Sequence, residues 1–147
     1  MTTVRNLLQI KGNAVWSVSP DTSVLDALKL MAEKEVGALL VLDGDRIEGI
    51  ISERDFARSI AEAGECLVES PVGNFMTKEV FTVSPDQTID DCMQMMTRKR
   101  IRHLPVVEEE GLIGLISIGD VVREVISTKE STIHSLENYI EGRGYGQ

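Results

Sequence analysis

The chain has 147 residues, 24 acidic and 15 basic side chains, and a formal net charge of −9, a length that holds one ordinary domain or two very small ones. The acidic balance and the small aromatic content, three Phe, two Tyr and one Trp, disfavour broad phosphate neutralisation and base stacking, so nucleic acid is not an expected partner. No apolar run approaches the ~20 residues that span a bilayer, and the first ten residues lack the pattern of a signal peptide, so the expectation is a cytoplasmic protein without a membrane partner.

Residues 1–12 read as an N-terminal segment preceding the first recognisable element. From there the chain is one unit written twice. Residues 15–58 align with 80–123 at a constant offset, 80 − 15 = 65, without a gap. VWSVSPDTSV matches VFTVSPDQTI, Leu39 and Val41 match Leu104 and Val106, and GIISERD matches GLISIGD. In the first copy, Val15 to Val18 alternates as a short strand, and Ser19-Pro20-Asp21 breaks it. Ser23 and Asp26 then form a capping-box signature. Val24, Leu28 and Met31 follow a helical period with one buried face. Two apolar runs come next, Ala38 to Leu42 and Ile47 to Ile51, with a hairpin connection at Asp43-Gly44-Asp45. A closing helix starts near Ser52.

The second copy repeats the pattern with Thr88 and Asp91 as cap, Ile89, Met93 and Met96 as the helical stripe, and runs at Leu104 to Val107 and Leu112 to Ile116. Its closing helix starts near Ser117. The fold class is therefore α/β (α+β), with two pseudo-symmetric β-α-β-β-α repeats, residues 13–66 and 78–130. A unit of about 50 residues buries too little apolar surface to stand alone, so the two are expected to pack face to face. Residues 67–77 read as a linker with one helical turn at Val72 to Met76. Residues 131–147 read as a C-terminal helix and tail. In it Ile133, Leu136 and Ile140 form a stripe, assigned first to packing on its own domain and second to an oligomer contact, before the glycine-rich GRGYGQ. Cys66 and Cys92 supply neither a disulfide framework nor a zinc spacing, and reduced thiols are expected.

Two places carry chemistry. The first is Gly-x-x-Ser-x-x-Asp at the end of the third strand, as Gly49, Ser52 and Asp55 and again as Gly114, Ser117 and Asp120. Ser-x-x-Asp at a helix start is itself a capping box, so both residues have a structural role open to them. The same turn also places a carboxylate suited to a ribose diol beside a hydroxyl and free amides suited to phosphate. The second place is the basic knot Arg98-Lys99-Arg100-Ile101-Arg102-His103. Arg98, Lys99 and Arg100 are accounted for as a helix C-terminus. Arg102 and His103 stand where the second strand enters the body, positioned for an anion, and their counterparts Gly37 and Ala38 carry no charge. The two clefts are therefore expected to be inequivalent.

The paired repeats, the SPD-x-[ST]-[VI] start, the IRHLPVV strand and the closing motif together resemble a tandem of cystathionine-β-synthase (CBS) domains, a Bateman module. The resemblance spans roughly residues 10 to 128. It implies a disc with two inter-repeat clefts for an adenosine-containing ligand: AMP, ADP, ATP, NAD(H) or S-adenosylmethionine. By resemblance, Asp55 and Asp120 hold ribose, and Ser52, Ser117, Arg54, Gly119, Arg102 and His103 lie near ribose or phosphate. Adenine falls against Asn13, Ala14, Val15, Val36 and Ala38 in the Asp120 cleft and against Lys78, Val80 and Ile101 in the Asp55 cleft, with Gly37 and Leu115 as further adenine contacts. The Asp120 cleft is the favoured one, because Gly119 leaves room.

No metal cluster, nucleophile elbow or Walker loop is present in the sequence, so neither catalysis nor a metal is expected. The reading that follows is a regulatory module that binds an adenine nucleotide and signals through a regulated protein or through a homodimer. The alternative is a ligand-independent interaction scaffold in which the motif aspartates are only caps.

Overall fold

The computed structural model describes residues 1–140, and GRGYGQ and the Ile140 side chain lie outside the described residues. The elements run α1 (Val4–Lys11), β1 (Ser17–Val18), α2 (Val24–Lys34), β2 (Ala38–Asp43), β3 (Arg46–Ser52) and α3 (Glu53–Ala63). A 3-10 turn at Val72–Asn74 leads to α4 (Ile89–Lys99), β4 (His103–Glu108), β5 (Gly111–Ser117) and α5 (Ile118–Ile140).

Local signals place most of these elements. Ser23 caps α2 by accepting from the Asp26 N–H, while Thr88–Asp91 and Ser52–Asp55 make reciprocal capping boxes on α4 and α3. Both first helices end on a left-handed residue at equivalent positions, Glu35 and Arg100, with φ of 55° and 56°. The hairpins β2–β3 and β4–β5 are antiparallel, and each carries a register shift at the same place, Val41/Leu42 and Val106/Val107. Even the aromatic contacts repeat, with Lys34 over Trp16 and Lys99 over Phe81.

The first strand breaks the symmetry. In repeat 1, β1 runs parallel to β2, and the Leu40 N–H donates to the Trp16 carbonyl. In repeat 2 the position of Leu40 is taken by Pro105, which has no N–H to give the Phe81 carbonyl. The expected strand at Val80 is accordingly reduced to a single parallel bridge between Val83 and Val106. One sheet has three strands and the other two.

Each repeat has its own core, and each core is completed by the segment that precedes the other repeat. Val4, Leu7 and Leu8 of α1 pack with Ile89, Cys92, Met96, Leu104, Val106, Ile116 and Val121 of repeat 2. Val72 of the linker packs with Val24, Met31, Leu39, Val41, Ile51 and Phe56 of repeat 1. The N-terminal segment is therefore a structural part of repeat 2, bonded to it through Val4 N–H to the Gln87 carbonyl and Ile89 N–H to the Thr2 carbonyl. Burial of the Cys92 thiol in this core pushes its pKa up to about 11.

The expectation of a separate C-terminal helix is corrected. Gly64 ends α3 in the left-handed region, φ 75°, but no glycine or proline interrupts residues 120–140, and the closing helix of repeat 2 continues as α5. Packing of the C-terminal stripe on its own domain is corrected too. Ile133 and Leu136 are 54% and 58% exposed, and Ile118, Val122 and Ile126 are also exposed on the same helix. No helix of the described residues is long and apolar enough to cross a membrane.

The motif glycines test this arrangement. A Cβ on Gly49 would lie 2.7 Å from the Thr77 carbonyl oxygen, whereas one on Gly114 would meet the Leu8 side-chain tip at 2.7 Å. Backbone cannot yield as a leucine tip can. Gly49→Ala is expected to cost about 1–3 kcal/mol and Gly114→Ala less, measured as the difference in urea-unfolding free energy; equal losses would contradict the packing described.

Candidate functional site

A cleft of about 750 Å³ opens between the repeats. Repeat 1 contributes Gly37, Ser52, Glu53, Arg54, Asp55 and Arg58. The facing wall comes from the linker end and repeat 2: Thr77, Glu79, Val80, Phe81, Arg100, Ile101, Arg102 and His103. Four arginines and a histidine thus meet three carboxylates, so one small anion finds a net positive surface within an acidic protein.

The carboxylate at its centre is built by the strand-to-helix turn. Asp55 Oδ2 accepts from the Ser52 N–H at 2.9 Å and the Ser52 hydroxyl at 3.0 Å, and Oδ1 accepts from the Thr77 hydroxyl at 3.2 Å. These partners are neutral. A carboxylate offers about four acceptor positions, so Oδ1 retains capacity for a diol. The cap and the ligand acceptor are therefore compatible roles for one side chain.

The opposite wall is placed by two local features. Arg100 is the left-handed C-cap of α4, which turns the chain from helix to strand and brings Arg100, Arg102 and His103 to one edge. Burial pushes the His103 imidazole below its ordinary pKa; Asp120 opposes this, and Lys11 and Arg102 add to it. His103 thus lines the Asp55 cleft while lying close enough to Asp120 to feel its charge.

The second motif turn is differently occupied. Asp120 is buried, and its Oδ2 accepts from the Ser117 N–H at 2.8 Å and from the Lys11 ammonium at 2.7 Å. Arg123 Nη2 lies 2.5 Å from Oδ1, and Lys11 also donates to the Leu115 carbonyl at 2.6 Å. Burial alone pushes the Asp120 carboxyl up, but the Lys11 hydrogen bond, the Ser117 amide and the Lys11 charge outweigh it and hold the pKa below the ordinary value.

Sequence reasoning and geometry part company here. Arg102 and His103 line the cleft of Asp55, together with Ser52, Arg54, Val80, Ile101 and Gly37. Lys78 is exposed and does not line that cleft. Asn13, Ala14 and Val15 lie in the loop between α1 and β1, the first two exposed, while Val36 and Gly37 are half-buried and Ala38 is buried at the start of β2. The room expected above Gly119 is approached by the Arg123 guanidinium, 3.5 Å from where a Cβ would stand. Thr77, Arg58 and Phe81 are cleft residues that the sequence reading did not single out, and Arg100, which it assigned to a helix end only, lines the cleft as well. Arg58 had a signal, because it pairs with Arg123 in the repeat alignment; Thr77 had none.

The CBS domain family profile matches residues 9–62 and 72–127, three quarters of the chain. The chain belongs to the CBS-domain family. It is 40% identical to the mitochondrial CBS domain-containing protein CBSX3 of Arabidopsis thaliana, over 98% of this chain and 74% of that one. A CBS-domain protein of Burkholderia ambifaria MC40-6 superposes with a TM-score of 0.81 at 47% identity, covering 86% of this chain and 95% of its own. The CBS domain pair of protein MJ0100, solved in complex with 5′-methylthioadenosine and S-adenosyl-L-methionine, shares the fold with a TM-score of 0.77 at 22% identity, over 87% and 98% of the two chains. CBS pairs are regulatory modules, and the two repeats read from the sequence are the two CBS domains.

The Asp120 ion pair makes stability depend on pH. Its folded pKa lies below the unfolded value of ~3.9, so its contribution is present in full above that value and is lost as the pH falls through the folded one. The stability advantage of wild type over Asp120→Asn, followed by chemical unfolding from pH 7 downward, is expected to shrink once the pH drops below about 4. A constant difference would remove the ionised carboxylate from the account.

Proposed function

We propose that the protein is a regulatory module that binds an adenine nucleotide, AMP, ADP, ATP or NAD(H), in the Asp55 cleft and signals through a regulated protein or its own self-association. One observation carries this reading: the neutral-partnered Asp55 carboxylate faces Arg100, Arg102 and His103 across an open cleft of nucleotide size. Asp55 accepts the ribose diol, the Ser52 turn and Arg54 flank the ribose and phosphate, and a forked guanidinium at Arg102 or Arg100 takes the phosphate. Val80 and Ile101 supply an apolar seat for the base. The adenosine ligands in the MJ0100 pair support the chemistry of the ligand class.

Preference thus passes from the Asp120 cleft to the Asp55 cleft, because the cations for phosphate stand beside Asp55. The homodimer reading draws support from α5. Ile118, Val122, Ile126, Ile133 and Leu136 leave an apolar stripe open along the helix, and a second copy would cover it. Output then follows if ligand shifts the balance between two arrangements for which it has unequal affinity.

A thermal-melt panel of AMP, ADP, ATP, NAD, NADH and S-adenosylmethionine tests the ligand. Saturation at about 100 times Kd adds ~2.7 kcal/mol, which raises Tm by several degrees at this size. If no member moves Tm at millimolar concentration, the scaffold reading replaces this one. Asp55→Ala is expected to abolish the shift while the protein stays folded. Arg102→Ala is expected to weaken AMP about tenfold or more, the loss of one charge-assisted contact, and adenosine little; equal losses would make Arg102 structural. Near pH 6, AMP binding is expected to be accompanied by proton uptake, since phosphate raises the depressed pKa of His103, and titration calorimetry in two buffers of different ionisation enthalpy reads this directly. For self-association, Ile126→Asp is expected to convert a dimer to monomer in sedimentation velocity.

A further inference from the structure

The two motif carboxylates are chemically alike and differently spent. Asp55 is held by two hydroxyls and an amide, whereas Asp120, with its side chain 7% exposed, is held by an amide, an ammonium and a guanidinium. We infer that Lys11 is a built-in occupant of the Asp120 site, keeping the second cleft shut, so that the wild-type chain takes one adenosine-class ligand, at Asp55. This rests on the nucleotide reading above and adds a gate to it.

Three observations carry the inference. The Lys11 ammonium bonds both Asp120 Oδ2 and the Leu115 carbonyl, so one cation takes the carboxylate and the adjoining strand-edge acceptor together. A diol can replace neutral hydroxyls at Asp55 with little electrostatic consequence. Displacing an ammonium from a buried carboxylate leaves charge to be compensated.

The ammonium is also delivered by a fixed element. Val4, Leu7 and Leu8 anchor α1 in the core of repeat 2, and Gly12, at φ 91°, ends the helix one residue after Lys11. Leu8 covers Gly114 as Met76 covers Gly49. Three residues beyond Leu8 stands Lys11; three beyond Met76 stands Glu79, a carboxylate that lines the open cleft. The asymmetry between the clefts is thus written in the segments that precede the repeats.

The plug is reversible in principle, because the Lys11 side chain remains 29% exposed and has solvent to retreat into. Adenosine is the appropriate probe, since it brings the diol and base without a phosphate. By isothermal titration calorimetry, wild type and Lys11→Arg are expected to bind one equivalent, Lys11→Met two, and the double variant Lys11→Met/Asp55→Ala one. Circular dichroism establishes that each variant is folded. Two equivalents in wild type, or one in Lys11→Met, would overturn the gate while leaving the nucleotide reading intact. If adenosine binds none of the four proteins, the nucleotide reading fails and the gate falls with it. A ligand-free arm tests the contact itself: the Asp120 carboxyl 13C titration midpoint is expected to rise in Lys11→Met, and an unchanged midpoint would overturn Lys11 as its counter-ion.

Discussion

The closing strand-to-helix turn of each repeat depends on a carboxylate that satisfies an amide at the helix start. Helix N-termini leave several N–H groups without intrahelical partners, and Asp55 and Asp120 reach back to the Ser52 and Ser117 amides to close that gap. The consequence is that fold and site share one group. Whatever else the carboxylate meets must fit around its obligation as a cap, and the two repeats differ in what has been fitted around it.

Pseudo-symmetry makes the difference readable. Where repeat 2 offers Arg100, Arg102 and His103, repeat 1 offers Glu35, Gly37 and Ala38. Where the first motif turn carries Arg54, the second carries Gly119. Positive charge therefore gathers in the Asp55 cleft, and the carboxylate of the other motif turn, Asp120, is neutralised from within the chain by Lys11 and Arg123. A net charge of −9 then describes the envelope of the protein while saying little about the cleft.

Much of the architecture was legible because it is local and repeated. Serine or threonine three residues before aspartate located four helix starts, and the doubled apolar runs located both hairpins. What escaped depends on tertiary register. Helix α1 is only eight residues long, and its role in the core of repeat 2 follows from docking against a segment some eighty positions away. The first strand of repeat 2 was misread although Pro105 was in plain view, because its missing N–H matters only once β4 is set against Phe81. The choice between clefts turned on Gly119, and the side chain that approaches the supposed space, Arg123, lies one helical turn further on. Positions of long charged side chains are decided by the assembled surface, which spacing alone does not describe.

Because no breaker follows the second motif turn, α5 is a rod of 23 residues rooted at the site of Asp120. At 1.5 Å per residue it is about 34 Å long. A tilt of roughly 5° at its first turn would carry the far end through about 3 Å on that length, a distance comparable to half a helical pitch. The corresponding helix of repeat 1 stops at Gly64 and has no such reach. A disturbance of the carboxylate at one end would thus be converted, by leverage alone, into displacement where the exposed leucine and isoleucines stand.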